Sequence, residues 1–331
     1  MVPAKTRRLW TFLAAMAAVM WGVSGLFAKG LFDISPKLTP MWLTQVRLII
    51  SGAVLLIASG FLKQKPIATL KNKHNVLVII AYGIFGLLPV QLFYFMCIQV
   101  ANASIATILQ FIGPFFVLGY LAITHKQVMR RLDIIAALCA FLGVFLLSTH
   151  GQFNHLAITP VALFWGILSA FGEATYTLIP VNIVKKVSSM VVTGWGMIFA
   201  GISLLIIDPQ FHAVPNKPEV WLYTAAVIVI GTIIPFQIMA NALRYVIPST
   251  VSLLDAFEPF SATVGSVLFF GLVMMPMDWV GSVLVVVAAM ALNLTPKQKK
   301  NKINQKTELQ LALFFELFAF QFSNSKVGIN H

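Results

Sequence analysis

Ser104-Ile-Ala-Thr107-Ile-Leu-Gln110-Phe-Ile-Gly113-Pro114-Phe115 and Ser249-Thr-Val-Ser252-Leu-Leu-Asp255-Ala-Phe-Glu258-Pro259-Phe260 are two copies of one pattern, about 145 residues apart. Working outward, Trp21-Gly22 matches Trp165-Gly166, and Pro89 and Gln91 match Pro235 and Gln237. Met41, Thr44 and Gly52 match Met190, Thr193 and Gly201, and Asp133 matches Asp278. The spacing drifts by a few residues, as it must if helices are kept and loops change length. Each copy holds an odd number of apolar spans, so the second runs through the membrane upside-down relative to the first. Inverted repeats of that kind point to secondary transport.

Composition sets the solvent. Apolar residues make up 59% of the chain and charged ones 10%, against about 25% charged in a soluble domain; mean hydropathy is +0.89. Stretches of about 20 apolar residues can cross roughly 30 Å of hydrocarbon. Ten are expected, at about 10–29, 41–61, 76–97, 103–123, 132–149, 158–180, 190–207, 221–241, 249–270 and 277–294. The fold class is therefore an all-α integral membrane protein, ten helices in two inverted five-helix repeats, 10–149 and 158–294. Lipid leaves helices as the natural backbone, and the alternating ten-residue segments of a barrel are absent from the sequence.

The net charge of +13 is a topology signal, and no nucleic-acid partner is expected. Lys5, Arg7 and Arg8 precede the first span; Lys63, Lys65, Lys71 and Lys73 follow the second; Lys126, Arg130 and Arg131 the fourth; Lys185 and Lys186 the sixth; Arg244 the eighth. The opposite connections carry Lys29, Lys37 and Lys217. That asymmetry predicts a multi-pass protein with both termini in the cytoplasm. Residues 295–331 form a basic cytoplasmic tail, interfacial or disordered, whose second half is too short to span. The first span is longer than a signal peptide's apolar core and is expected to be retained.

Ionisable groups inside spans each cost about 2.5–3.5 kcal/mol at the bilayer centre on insertion scales, so they need a reason. Arg47 shares a helix face with Thr44 and Ser51; it can fork onto an anion or anchor a neighbouring helix. Asp255 and Glu258, three apart, are expected on adjoining parts of one helix face, where a shared proton could couple to transport. Otherwise they simply hold helices together. Glu173 is the other deep acid, with Tyr176 one turn on. Gln91, Gln110 and Gln237 can line a conduit or clasp helices. Trp21 and Trp165 sit too deep for an interfacial belt and can face a ligand or pack the core. Pro89, Pro114, Pro235 and Pro259 fall in two repeat-related pairs and are candidate hinges, or tolerated kinks. Together these residues are expected to form two polar layers around a midplane cavity, one nearer each gate.

The sequence gives no support to an enzyme. The six histidines lie in expected loops or the tail, Cys97 and Cys139 lack metal-ligand spacing, and no phosphate-binding glycine loop occurs. No cofactor or metal is expected.

Trp21-Gly22, Gln45-Val-Arg47-Leu-Ile, Ser104 to Pro114, Ser249 to Phe260 and Asp278-Trp-Val-Gly281 resemble the drug/metabolite transporter superfamily, and within it the EamA-type exporters. The resemblance covers about 10–294. It implies efflux of small organic solutes, amino-acid-like or drug-like, across the plasma membrane by alternating access. The first repeat departs from the pattern at Gly113-Pro114, where family members often carry an acid before the proline. A lipid or sugar-nucleotide carrier on the same scaffold, or a non-transporting membrane interaction protein, are the rival readings.

Overall fold

The computed structural model describes residues 4–124, 131–151, 158–209, 214–242, 245–246 and 254–294. Residues 152–157 between the two expected repeats, the Ser249–Ser252 stretch, Arg244 and the tail lie outside them. Among the described residues every regular element is helical, with no strand. Eight helices are long and apolar enough to cross a membrane, and two shorter apolar helices, Phe257–Phe270 and Pro276–Ala291, fall where the ninth and tenth spans were expected.

In chain order, α1 is Ala4–Ile34 and α2 is Pro40–Phe61, capped by Thr39, whose hydroxyl accepts from the Trp42 amide. α3 runs from Lys73–Tyr82 through a π turn, Gly83–Leu87, into Leu88–Val100. α4 is broken into Ala103–Gln110 and Gly113–Ile123. α5 is Arg131–Thr149, α6 Pro160–Leu178 and α7 Ser189–Ile207. α8 runs from Pro218–Ile228 through a second π turn, Val229–Ile233, into Ile234–Ala242. α9 is Phe257–Phe270 and α10 Pro276–Leu294.

All four candidate hinge prolines sit where the α-helical ladder is interrupted. A proline lacks the N–H that would reach back four residues, and its ring crowds that carbonyl. Before Pro89 and Pro235 the chain widens by one residue: Leu88 donates to the Gly83 carbonyl and Ile234 to the Val229 carbonyl, five residues back. Before Pro114 it tightens instead, Ile112 donating to Leu109. Before Pro259, Glu258 donates to the Asp255 carbonyl at 2.9 Å, which Pro259 cannot reach. The expected continuous fourth span is therefore two helices. Asp255 lies in a turn just before α9 rather than on its face.

α2 packs on α7 and α5 on α10; α1 packs on α8 and α9, and α6 on α3 and α4. Small residues permit the closest of these approaches. A Cβ on Gly143 would stand 2.6 Å from the Gly281 carbonyl oxygen, and one on Gly281 2.6 Å from that of Gly143. At that end of the pair, the His150 ring meets the Asp278 carboxylate, whose other oxygen accepts from the Met275 amide at 2.8 Å.

Candidate functional site

Arg47 is explained by a proline on another helix. Pro235 has no N–H to offer the Gly231 carbonyl four residues back. Arg47, on α2 and 7% exposed, donates there instead: Nη2 to the Gly231 oxygen at 2.9 Å, Nε to Thr232 Oγ1 at 2.6 Å. The Phe95 ring of α3 covers the guanidinium, its centroid 5.2 Å from the carbon. Two of the three guanidinium nitrogens are thus spent on the π turn of α8. The alignment that pairs Met41 with Met190 pairs Arg47 with Gly196. There α7 meets the π turn of α3 backbone to backbone, and a Cβ on Gly83 would stand 2.5 Å from the Gly196 oxygen. The same junction is built with a charge in one half and by close approach in the other.

The three deep acids come together. Glu258 lies within Coulombic reach of Asp255, Glu173 and Arg47, and Asp255 within reach of Glu173. Two helices and a turn deliver them: Glu173 from α6, Asp255 from the turn before α9, Glu258 from the first turn of α9. Among the described residues none of the three forms an ion pair within 4.0 Å. Asp255 Oδ1 is buried and, among the described residues, has no hydrogen-bond partner. Around the Glu173 end, Tyr176 stacks on Tyr82 at 5.8 Å, and both are in electrostatic reach of Glu173. The Phe236 ring stands edge-on to Tyr176 at 6.4 Å and to Trp21 at 5.5 Å. These contacts link Trp21, Phe236, Tyr176 and Tyr82 into one aromatic run beside the carboxylates.

The other candidates are placed less centrally. Trp165 stacks on Phe93 at 5.4 Å and meets Phe164 edge-on. Gln110, the last residue before the break in α4, donates from Nε2 to the Val90 carbonyl of α3 at 3.2 Å. Gln91 is buried, and among the described residues its Oε1 has no partner. Gln237 is half-buried, and its backbone carbonyl accepts from Asn241 at 2.8 Å. Pro89 stands two residues before Gln91, Pro235 two before Gln237, Pro114 four after Gln110, and Pro259 directly after Glu258.

Tyr82, Phe236, Thr232 and Tyr94 were not singled out from the sequence. Tyr94 hydrogen-bonds Thr107 at 3.0 Å and lies within Coulombic reach of both Arg47 and Glu258. Phe236 and Thr232 could have been found from Pro235, since a proline frees a carbonyl four residues back and its neighbours line the distortion. Tyr82 and Tyr94 carry no such mark; apolar aromatic runs surround them.

A polar, acid-bearing centre enclosed by long apolar helices, with interrupted helices at its edge, defines a multi-pass membrane transporter. Comparison with known proteins gives the particular family. The EamA-like transporter family matches residues 8–149 and again 160–294, and the chain belongs to that family, within the drug/metabolite transporter superfamily. It is 31% identical to the uncharacterized inner membrane transporter YicL of Salmonella typhimurium, over 86% of this chain and 95% of that one. It is 26% identical to the threonine/homoserine exporter RhtA of Escherichia coli, over 88% and 93%. A solved crystal structure at 19% identity superposes with a TM-score of 0.59, covering 86% of this chain and 96% of that one, and supports the fold.

Proposed function

We propose that the protein is a secondary transporter that exports small organic metabolites, amino-acid-like in the first instance, across the plasma membrane. Its architecture is read as ten spans in two inverted repeats with both termini cytoplasmic. Three findings support that reading: the family matches twice in succession, the π turns recur before Pro89 and Pro235, and the helices pair α2 with α7 and α5 with α10. Substrate binds between the repeats and is released as they rock, the four prolines marking where helices can bend.

The single observation that carries the proposal is the convergence of Glu173, Asp255 and Glu258 beside an aromatic run, inside a lipid-embedded bundle. Carboxylates are costly there unless a pathway uses them. The likeness to RhtA supports amino-acid-like cargo. Arg47 contributes by fixing the π turn of α8, and Trp21, Gln91, Gln110, Trp165, Tyr176 and Gln237 line or frame the route. Protons exchanged at the acids provide the coupling.

The test is efflux of labelled threonine and homoserine from proteoliposomes holding the purified chain. Saturable flux above empty vesicles, lowered in the Glu258→Gln variant, is expected. Absence of flux for these and for a panel of other small amines and amino acids would overturn the reading in favour of a non-transporting protein.

A further inference from the structure

We infer that the centre formed by Glu173, Asp255 and Glu258 selects a net-cationic organic amine, a mono- or diamine rather than a zwitterion alone, held between carboxylates and the Trp21–Phe236–Tyr176–Tyr82 rings. This deepens the transport reading and rests on it.

Charge balance leads there. Three carboxylates lie in mutual Coulombic reach, with one guanidinium acting on Glu258. That guanidinium is committed to Thr232 and Gly231 and covered by Phe95. An apolar interior does not hold several unpaired anions, so the deficit is met by cations: protons or a ligand's ammonium. A free amino acid adds a carboxylate to a centre already rich in them, and two of the three guanidinium nitrogens of Arg47 are already bonded to α8. An amine without a carboxylate brings the missing charge and no further anion.

Two further features fit an ammonium independently of the acid count. Asp255 Oδ1 is an enclosed acceptor with no donor on it among the described residues, and an ammonium supplies three N–H donors. Beside it runs a chain of four rings, Trp21 to Phe236 at 5.5 Å, Phe236 to Tyr176 at 6.4 Å and Tyr176 to Tyr82 at 5.8 Å. Ring faces attract cations most strongly where water is excluded, and they pack the alkyl part of an amine equally well. Each positive charge that enters replaces a proton on the carboxylates, so amine uptake at the site and proton release are one event.

The experiment uses the full chain in detergent, with 1,4-diaminobutane as probe and 1,4-butanediol as its neutral isostere, by titration calorimetry at pH 8 and pH 6. The diamine stays doubly charged across that range, its groups resembling a lysine amine of pKa about 10.4. Binding of the diamine but not the diol is expected, with Kd weakening about tenfold per pH unit for each proton displaced. Asp255→Asn should weaken diamine binding and flatten that pH dependence. The wild-type measurements stand alone if the variant does not fold. Equal binding of diol and diamine, or a Kd independent of pH, would overturn the inference. Transport of threonine or homoserine with no binding of diamine would also overturn it while leaving the transport reading intact. Loss of every flux and every binding signal would sink both.

Discussion

Glu173 of α6 lies directly over Gly113 of α4: a Cβ placed on Gly113 would stand 2.8 Å from both Cβ and Cγ of Glu173 and 3.1 Å from the Ala170 carbonyl oxygen. Gly113 is the repeat counterpart of Glu258. Where the first repeat lacks an acid before its proline, the neighbouring helix leans an acid into the space that the glycine leaves. The sequence departs from the family pattern at this point, yet a carboxylate still reaches the first repeat's helix break.

Gly113→Ala should therefore act on Glu173. Overpacking of this kind costs about 1–3 kcal/mol, and here the contact includes backbone, which cannot swing aside. A lower unfolding midpoint in detergent and reduced flux are expected together. Glu173→Ala removes the acid without crowding α4, so it should reduce flux with a smaller change in midpoint. Equal midpoints for wild type and Gly113→Ala would show that the contact is loose.

Arg47→Lys tests the junction with α8. A lysine ammonium cannot donate to Gly231 and Thr232 in the geometry of the guanidinium fork. Losing one charge-assisted hydrogen bond in a buried site costs roughly 1.5–3 kcal/mol. Because the bonded segment is the π turn before Pro235, a lowered midpoint should accompany slower flux. Unchanged stability and flux would mean that α8 holds its turn unaided.

Much of this was legible beforehand. Apolar length placed most of the spans, because lipid imposes a single requirement on every stretch of about 20 residues. Among the described residues each of the four marked prolines adjoins an interruption of the α-helical ladder, since a missing N–H acts locally. Their sense was not foretold: widening before Pro89 and Pro235, tightening before Pro114 and Pro259. That choice depends on what the freed carbonyls meet, such as Arg47 against Gly231. Glu173, Asp255 and Glu258 were each marked as costly, but periodicity within one helix cannot say that α6 and α9 bring them together. The placement of Asp255 on a helix face also failed, because the turn that Pro259 imposes lifts it out of α9.

Glu258→Gln addresses the coupling. A glutamine keeps the volume and the hydrogen-bonding edge and removes the exchangeable proton. Flux in proteoliposomes should lose its dependence on an imposed pH gradient while the protein elutes and melts as the wild type does. A pH response equal to the wild type would take the proton role away from Glu258 and leave Glu173 and Asp255 to be tested in turn.

Membrane sidedness tests the inverted architecture itself. Lys71, beyond α2, and Lys217, at the start of α8, are both exposed. They occupy connections of opposite charge bias, Lys71 amid three other lysines and Lys217 with no other cation in its connection. Single cysteines at these positions need a background free of competing thiols. Cys97 Sγ donates to the Ala162 carbonyl at 3.3 Å, so Cys97→Ser keeps a donor there, and half-buried Cys139 can become alanine. With a membrane-impermeant maleimide on intact cells, Lys217→Cys should react at once and Lys71→Cys only after the membrane is opened. Each repeat has five spans only if these two positions differ in this way. Reaction of both from the same side would put an even number of crossings between them, and α2 and α7 could no longer be inverted copies.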